Sequence, residues 1–157
     1  MPPRELTIVS GGQTGVDRAA LDAALAMDTP CGGWCPAGRK AEDGIIPARY
    51  PLQELDSNRY RDRTLRNVKD ADGTLIVYFD YLSGGTEQTL RFCLQAKTPY
   101  KLIDAGLVAP SPAGEALARF VEDCAIKRLN VAGPRASNEP RAYDYTFALI
   151  TGLLAEP

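Results

Sequence analysis

The chain has 157 residues, of which 45% are hydrophobic and 24% charged, as is typical of a globular protein that buries its own core. Its 18 basic and 20 acidic residues leave a formal net charge of −2, which argues against a non-specific nucleic-acid binder. The longest apolar runs are too short to span a bilayer and residues 1–5 do not resemble a signal peptide, so we expect a soluble, cytoplasmic protein without membrane contact.

The chain contains no histidine, and this limits the chemistry it can perform. Ser-His-Asp and Cys-His catalysis are excluded, and the commonest metal ligand is missing. The four cysteines, at positions 31, 35, 93 and 124, lack zinc-site spacing, so we expect reduced thiols and no protein-bound metal. Any function must therefore use carboxylates, arginines, hydroxyls, thiols or backbone amides.

The first elements are predicted to be a strand, a glycine turn and a helix. Leu6–Ser10 is a β-branched run typical of a buried strand, and it ends at a glycine pair. From Val16 onward the apolar residues follow a helical period, which places Asp17 outside the apolar stripe. Thr14 and Asp17 have the spacing of a capping box.

The middle of the chain gives signals of unequal strength. Residues 31–35 predict a short strand, residues 36–51 a loop rich in proline and glycine, and residues 57–69 a polar helix. Thr74–Phe79 is the clearest central strand. The helix that follows Ser83-Gly-Gly-Thr86 has its apolar positions at Leu90, Cys93, Leu94 and the stem of Lys97.

The last third repeats the alternation of strand and helix. Strands are predicted at residues 100–103 and 129–132, and helices from Ser111-Pro112 onward and over 140–154. The core face of the first of these helices comprises Leu117, Phe120, Val121 and Cys124. Strands that alternate with helices predict an α/β domain over residues 1–157, with a mostly parallel sheet of about five strands covered on both faces.

Three of the predicted strands run directly into glycine-containing turns, at residues 10–15, 83–87 and 132–137. In a parallel sheet these turns meet at the carboxyl edge, where open α/β sheets bind ligands. A glycine turn that leads into a helix directs backbone amides and a partial positive charge toward an anion. The fingerprints for ATP and dinucleotides are absent, so the turns indicate another phosphate-bearing ligand.

The predicted ligand- and phosphate-binding residues lie in these three turns or directly after them: Gly11, Gly12, Gln13, Thr14, Gly15 and Asp17; Ser83, Gly84, Gly85, Thr86, Glu87 and Thr89; and Gly133, Pro134, Arg135, Ser137 and Asn138. Tight turns that need positive φ angles, and helix capping by Thr86 and Thr89, are the alternative explanations.

Three basic or aromatic features outside the turns have two interpretations each. Arg39 could belong to a flap that closes over a phosphate, or to a solvated surface loop. The arginines at positions 59–66 alternate with acids and predict a salt-bridged exposed helix, although Arg63 could face the ligand. Trp34 could stack on a heterocycle or lie in the core.

The chain resembles the molybdenum-cofactor carrier family, a circularly permuted YpsA-like group within the wider LOG-like nucleotide-ligand superfamily. The matching stretches are Ile8-Val-Ser-Gly-Gly-Gln-Thr-Gly-Val-Asp-Arg-Ala-Ala-Leu-Asp22 and residues 33–44, 63–73, 83–86 and 130–135. The LOG branch has a Pro-Gly-Gly-x-Gly-Thr loop followed by a glutamate. Here Ser83-Gly-Gly-Thr-Glu87 keeps the glycine pair, the threonine and the acid, but lacks the proline and one glycine.

This resemblance implies a Rossmann-like three-layer fold, a homo-oligomer (dimer or tetramer) and a pocket for molybdenum cofactor or a related phosphorylated heterocycle. The cofactor is a pterin with a terminal phosphate, and its metal is held by the pterin's own dithiolene. The partners expected are therefore a phosphorylated small molecule and the molybdoenzymes that receive it.

Two main functions fit the residues, and a third is weaker. The first is a binding and carrier protein whose turns hold the phosphate. The second is a nucleotide-processing hydrolase of the LOG type, in which Glu87 stabilises a developing cation or positions water. The third is a sensor for a signalling nucleotide. We favour binding, because the sequence shows anion-binding turns but no clear nucleophile or base.

Overall fold

The structure, a computed structural model, describes residues 5–155. Residues 1–4, which entered the signal-peptide prediction, and residues 156–157 lie outside the described residues. In chain order the strands and helices are β1 (Thr7–Val9), α1 (Val16–Ala26), β2 (Cys31–Gly32), β3 (Trp34–Cys35), β4 (Lys40–Ala41), β5 (Gly44–Ile45), β6 (Gln53–Glu54), α2 (Tyr60–Asp70), β7 (Gly73–Tyr78), α3 (Gly84–Ala96), β8 (Tyr100–Asp104), α4 (Pro110–Asp123), β9 (Arg128–Ala132) and α5 (Ala142–Ala155).

A parallel sheet forms the centre of the molecule. Within residues 5–155 it has five strands in the order β2-β1-β9-β7-β8, and every neighbouring pair is parallel. The late strand β9 lies between β1 and β7, and its Asn130 is in register with Val9 on one side and Thr74 on the other. The predicted α/β class and parallel sheet are confirmed.

Helices cover both faces of this sheet, which makes the fold a Rossmann-like three-layer sandwich. Alternate residues of β7 point to opposite faces. Leu75 and Val77 pack in the cluster that includes α1, α4 and α5, whereas Ile76 packs with Val68 of α2 and Phe92 of α3. Among residues 5–155, no helix is both long and apolar enough to cross a membrane.

The helical stripes differ from the prediction at particular positions. In α3 the core residues are Phe92 and Cys93, and Leu94 is 55% exposed. In α4, Leu117 and Val121 are buried as predicted, but Cys124 is exposed because it lies at the C-cap, where the chain leaves the core. A buried helix face predicted only from the positions of apolar residues can therefore be one residue out of register with the face that packs.

The segment predicted as a loop over residues 36–51 is ordered by two small sheets. Strand β3 pairs with β6, and β4 pairs with β5 as a hairpin. A second core forms beneath them from Leu21, Cys35, Ile46 and Tyr50. The predicted strand at residues 31–35 is divided at Gly33, where a Cβ would meet the Ser10 carbonyl oxygen at 2.2 Å.

Gly15 lies where the turn after β1 touches the turn after β9. Its φ is +79°, and a Cβ at this position would lie 2.5 Å from the Pro134 carbonyl oxygen and 2.9 Å from the Ala136 amide nitrogen. Backbone atoms cannot move aside as a flexible side chain can. This contact therefore requires glycine.

We expect Gly15→Ala to lower the free energy of unfolding by about 2 kcal/mol or more, since it combines backbone strain with a steric clash. Gly152→Ala in α5 is the matched control, because no atom beyond the adjacent residues and the helix's own backbone lies within 4 Å of its added Cβ. That substitution should be neutral or add up to about 1 kcal/mol. Denaturant unfolding of both variants measures the difference, and equal stabilities would contradict the assignment.

Candidate functional site

A polar crevice with a volume of about 740 Å³ opens beyond the carboxyl ends of β1, β9 and β7. The chain leaves β1 toward β2 through α1, and it leaves β7 in the opposite direction toward β8 through α3. Strand β9 lies between them. This is the point of an open α/β sheet at which helices diverge and ligands bind.

All three predicted turns contribute to the crevice. The predicted residues that line it are Gly11, Gln13 and Asp17 from the first turn, Ser83, Gly84, Gly85, Thr86 and Thr89 from the second, and Gly133, Pro134, Arg135, Ser137 and Asn138 from the third. Five other predicted residues are not part of the lining: Gly12, Thr14, Gly15, Arg39 and Glu87.

One face of α2 forms a further wall. Tyr60, Arg63, Thr64 and Asn67 all line the crevice, at the i, i+3, i+4, i+7 spacing of one helix face. Of these, only Arg63 was considered from the sequence. The signal available was a polar stripe at helical spacing in a helix with few apolar residues. Asn130 of β9 and Gln88 of α3 were also missed.

The amino terminus of α1 is occupied by the protein's own groups. The Val16 amide donates to the Pro134 carbonyl oxygen at 3.2 Å, and the Gln13 amide donates to Asp17 Oδ2 at 3.3 Å. The predicted capping box is wrong, because Gly15 is the N-cap and the Thr14 hydroxyl instead bonds to Glu42. The first turn is therefore not an open phosphate loop.

Asp17 and Arg63 form a buried ion pair at the inner wall. Arg63 Nη1 lies 3.8 Å from Asp17 Oδ2 and donates to the Gly11 carbonyl oxygen at 3.0 Å. Asp17 is only 8% exposed, contrary to its predicted place outside the stripe. Burial raises its pKa to about 6, and the positive charge of Arg63 opposes that rise.

The amino terminus of α3 is open, in contrast to that of α1. Ser83 is the N-cap but makes no side-chain capping bond, and open space surrounds the Cα positions of Gly84 and Gly85 on the side where a Cβ would project. No hydrogen bond within residues 5–155 reaches the amides of Gly84, Gly85 or Thr86. The Thr89 hydroxyl donates to the Gly85 carbonyl oxygen, so the alternative of capping by Thr86 and Thr89 is not realised.

Positive side chains gather around Tyr60 in the crevice wall. The guanidinium carbons of Arg63 and Arg135 lie 5.4 and 5.8 Å from the ring centre, and Lys40 Nζ lies 4.6 Å from it. Arg135 is half-buried and forms no salt bridge with any residue in the described part of the chain. Its guanidinium donates no hydrogen bond to the described residues and can therefore donate to an anionic ligand, while its charge also helps to lower the pKa of the nearby Glu42.

The structure does not bring Glu87 or Arg39 to the crevice. Glu87 pairs with Arg91 at 2.6 Å along the outer face of α3, and its neighbour Gln88 takes the inner position. The Arg39 guanidinium donates to the carbonyl oxygens of Ile46, Pro47, Tyr50 and Leu52. It therefore holds its own loop in shape, and its hydrogen bonds are not free for a phosphate.

Glu42, which was not predicted as a site residue, connects the β4–β5 hairpin to two of the turns. Its carboxylate accepts bonds from the Thr14 hydroxyl and from the Ser137 amide and hydroxyl, the last two at 3.2 and 2.5 Å. Although desolvation acts in the other direction, these bonds lower the pKa of Glu42 below its usual value. The hairpin is thus fixed beside the crevice.

Trp34 has neither of its predicted roles. Its indole nitrogen donates to Asp70 at 2.6 Å, and the Arg66 guanidinium lies 4.0 Å from its ring centre. It is half-buried on the outer side of α2 and does not line the crevice. Within residues 5–155, no cluster of three or more His, Cys, Asp or Glu side chains is placed to hold a metal ion.

The fold and the crevice define a Rossmann-like protein of a ligand-binding class. Residues 8–154 match the circularly permutated YpsA SLOG family, and the chain belongs to that family. A comparison with curated proteins gives no match. The chain is also similar to the crystal structure of the "Putative molybdenum carrier protein" from Syntrophus aciditrophicus SB. The two share 43% identity over 98% of this chain and 97% of the other, with a TM-score of 0.94.

We expect acidification to stabilise the protein relative to its Asp17→Asn variant. The folded pKa of about 6 exceeds the ordinary value of 3.8, so between these values the folded state holds a proton that the unfolded chain releases. The contribution is present below pH 3.8 and lost as the pH rises through about 6. Its size is on the order of 3 kcal/mol, from a pKa difference of about two units.

Denaturant unfolding of both proteins between pH 4 and pH 7.5 measures this contribution. The difference in unfolding free energy between wild type and Asp17→Asn should change with pH as described. Parallel pH profiles would contradict a buried carboxyl with a raised pKa.

Proposed function

We propose that the crevice binds a phosphorylated, nucleotide-like small molecule and that the protein is a carrier of it. The observation that carries this proposal is the open amino terminus of α3, which lines a large polar crevice while the corresponding end of α1 is closed. Helix amino termini with free amides are favourable sites for phosphate. The second turn is therefore the phosphate cradle in this proposal.

Arg135 completes the anionic end of the site. It comes from the third turn and lines the same crevice as Ser83, Gly84 and Gly85. A guanidinium can donate two parallel hydrogen bonds to a phosphate. The buried Thr86 hydroxyl also lines the crevice and adds a neutral donor.

Molybdenum cofactor is the candidate ligand in this proposal. Its terminal phosphate fits the α3 end of the crevice, and its pterin needs polar partners of the kind that α2 and β9 provide. Because the dithiolene of the pterin holds the metal, the donor set required of the protein is one of amides, hydroxyls and arginines. The similarity to a protein named as a molybdenum carrier supports the same choice.

The geometry favours a carrier over the alternative hydrolase. The hydrolase requires Glu87 to reach the reacting bond, but the Glu87 carboxylate is paired with Arg91 outside the crevice. As parts of the same proposal, the carrier is cytoplasmic and homo-oligomeric, and it delivers its ligand to molybdoenzymes.

Native mass spectrometry of protein purified without dialysis, combined with molybdenum and phosphorus analysis, tests the identity of the ligand. A retained mass with equal amounts of both elements supports the cofactor. A retained phosphorylated heterocycle without molybdenum overturns that choice but keeps phosphate binding. Release of a free base from a panel of nucleotides would show turnover and overturn the carrier function.

We expect Arg135→Ala to weaken the binding of inorganic pyrophosphate by about tenfold or more, since a charge-assisted hydrogen bond contributes about 1.5–3 kcal/mol. Arg119→Ala removes the same charge from an exposed site on α4 and should leave the dissociation constant unchanged. Isothermal titration calorimetry measures both. Equal losses in the two variants would mean that only the overall charge matters.

A further inference from the structure

A buried carboxylate at the opposite end of the crevice has an oxygen without a partner. Asp17 Oδ2 accepts the bond from Gln13 and faces Arg63, but no hydrogen bond from residues 5–155 reaches Asp17 Oδ1. The residue is 8% exposed and lines the crevice. Because Asp17 Oδ1 is not one of the fully buried side-chain atoms without a partner, it faces the open crevice, where it can accept a hydrogen bond from a ligand.

The position of Asp17 excludes phosphate as its partner, because two anions would repel each other. Asp17 lies in the first turn of α1, which follows β1, and the open helix end is that of α3, which follows β7. These strands flank β9, so the two helix ends are separated by two strand spacings, about 10 Å. The crevice therefore has an anion-binding end and a donor-binding end.

We infer that Asp17 accepts hydrogen bonds from two adjacent N–H groups at the edge of the ligand's heterocycle, one at Oδ1 and one at the second lone pair of Oδ2, whose first lone pair accepts the Gln13 amide. The chemical class with this pattern is a 2-amino-4-oxopyrimidine ring, which presents a ring N–H beside an exocyclic amino group. Pterins and guanine both contain it. This inference rests on the proposed function, since it orients the heterocycle of the same ligand whose phosphate lies at α3.

Neighbouring groups favour this arrangement over a ligand cation. Arg63 already supplies a positive charge 3.8 Å from Asp17, so a second cation would be repelled, whereas neutral N–H donors would not. Asn130 is 3% exposed and lines the same crevice, and its side-chain amide donates to one partner among the described residues, the Thr74 hydroxyl at 3.3 Å. Its amide is available to a further polar atom of the ring.

Calorimetric titration with matched nucleotides at pH 7.5 tests the inference. Guanosine 5′-monophosphate and inosine 5′-monophosphate differ only in the 2-amino group, and we expect the wild type to bind the guanosine form about tenfold more tightly. This ratio needs no variant. A ratio near one overturns the role of Asp17 and leaves phosphate binding intact.

Asp17→Asn should reverse the preference between two nucleotides, which a purely structural role of Asp17 would not do. An asparagine can accept from the ring N–H but donates to the group at position 2, which suits the carbonyl of xanthosine 5′-monophosphate. We expect the variant to lose affinity for the guanosine form and to gain it for the xanthosine form. Equal loss for both nucleotides in a folded variant overturns the inference.

Two further probes separate the possible outcomes. Neopterin monophosphate carries the same ring edge as guanosine 5′-monophosphate. The compound that binds more tightly shows whether the preferred ligand is a pterin or a guanine, and either result supports the inference. If pyrophosphate binds but none of these heterocyclic compounds does, the inference is overturned and the proposed function is not. Failure of pyrophosphate as well overturns the proposed function.

Discussion

The buried contact of Arg63 with Gly11 and Asp17 determines how the crevice is built. It joins α2 to the turn after β1, and it needs the absence of a side chain at position 11, where a Cβ would lie 2.4 Å from Arg63 Cδ. A charged pair in this environment must remain together, because loss of either partner leaves an unpaired buried charge. The pair also supplies the inner wall of the crevice, so the packing of α2 and the chemistry of the site depend on the same three residues.

This contact explains why the most glycine-rich turn is not the open one. With Asp17 and the Pro134 carbonyl oxygen at the amino terminus of α1, the positive end of that helix is already neutralised within the protein. The amino terminus of α3 has no equivalent, since Ser83 does not cap it and Glu87 turns outward to Arg91. Two turns with similar sequences thus have different electrostatic properties. The end of the crevice near α1 presents the Asp17 acceptor, and the end near α3 presents backbone amide donors.

The sequence was sufficient to predict the parallel sheet, the order of strands and helices, and the meeting of three turns at one edge, because these follow from local periodicity and from the geometry of parallel strands. It was insufficient where a side chain's direction depends on tertiary packing. Glu87 and Gln88 differ by about 100° around α3, and only the packing of α3 on the sheet decides which one enters the crevice. Arg39 was predicted as a phosphate ligand because the carbonyl groups that occupy its guanidinium lie up to 13 residues away in the chain, where the local sequence does not reveal them.

The segment over residues 36–51 has a consequence for how a ligand is held. Arg39 organises its backbone, and Glu42 ties it to Thr14 and Ser137, so the hairpin and two of the turns are ordered together. An ordered site loses less conformational entropy when a ligand binds than a flexible flap would. For the proposed carrier, which must both protect its ligand and release it, an ordered crevice means that this balance depends on the contacts with the ligand itself. Release would then depend on weakening the contacts at one end of the crevice, rather than on opening a lid.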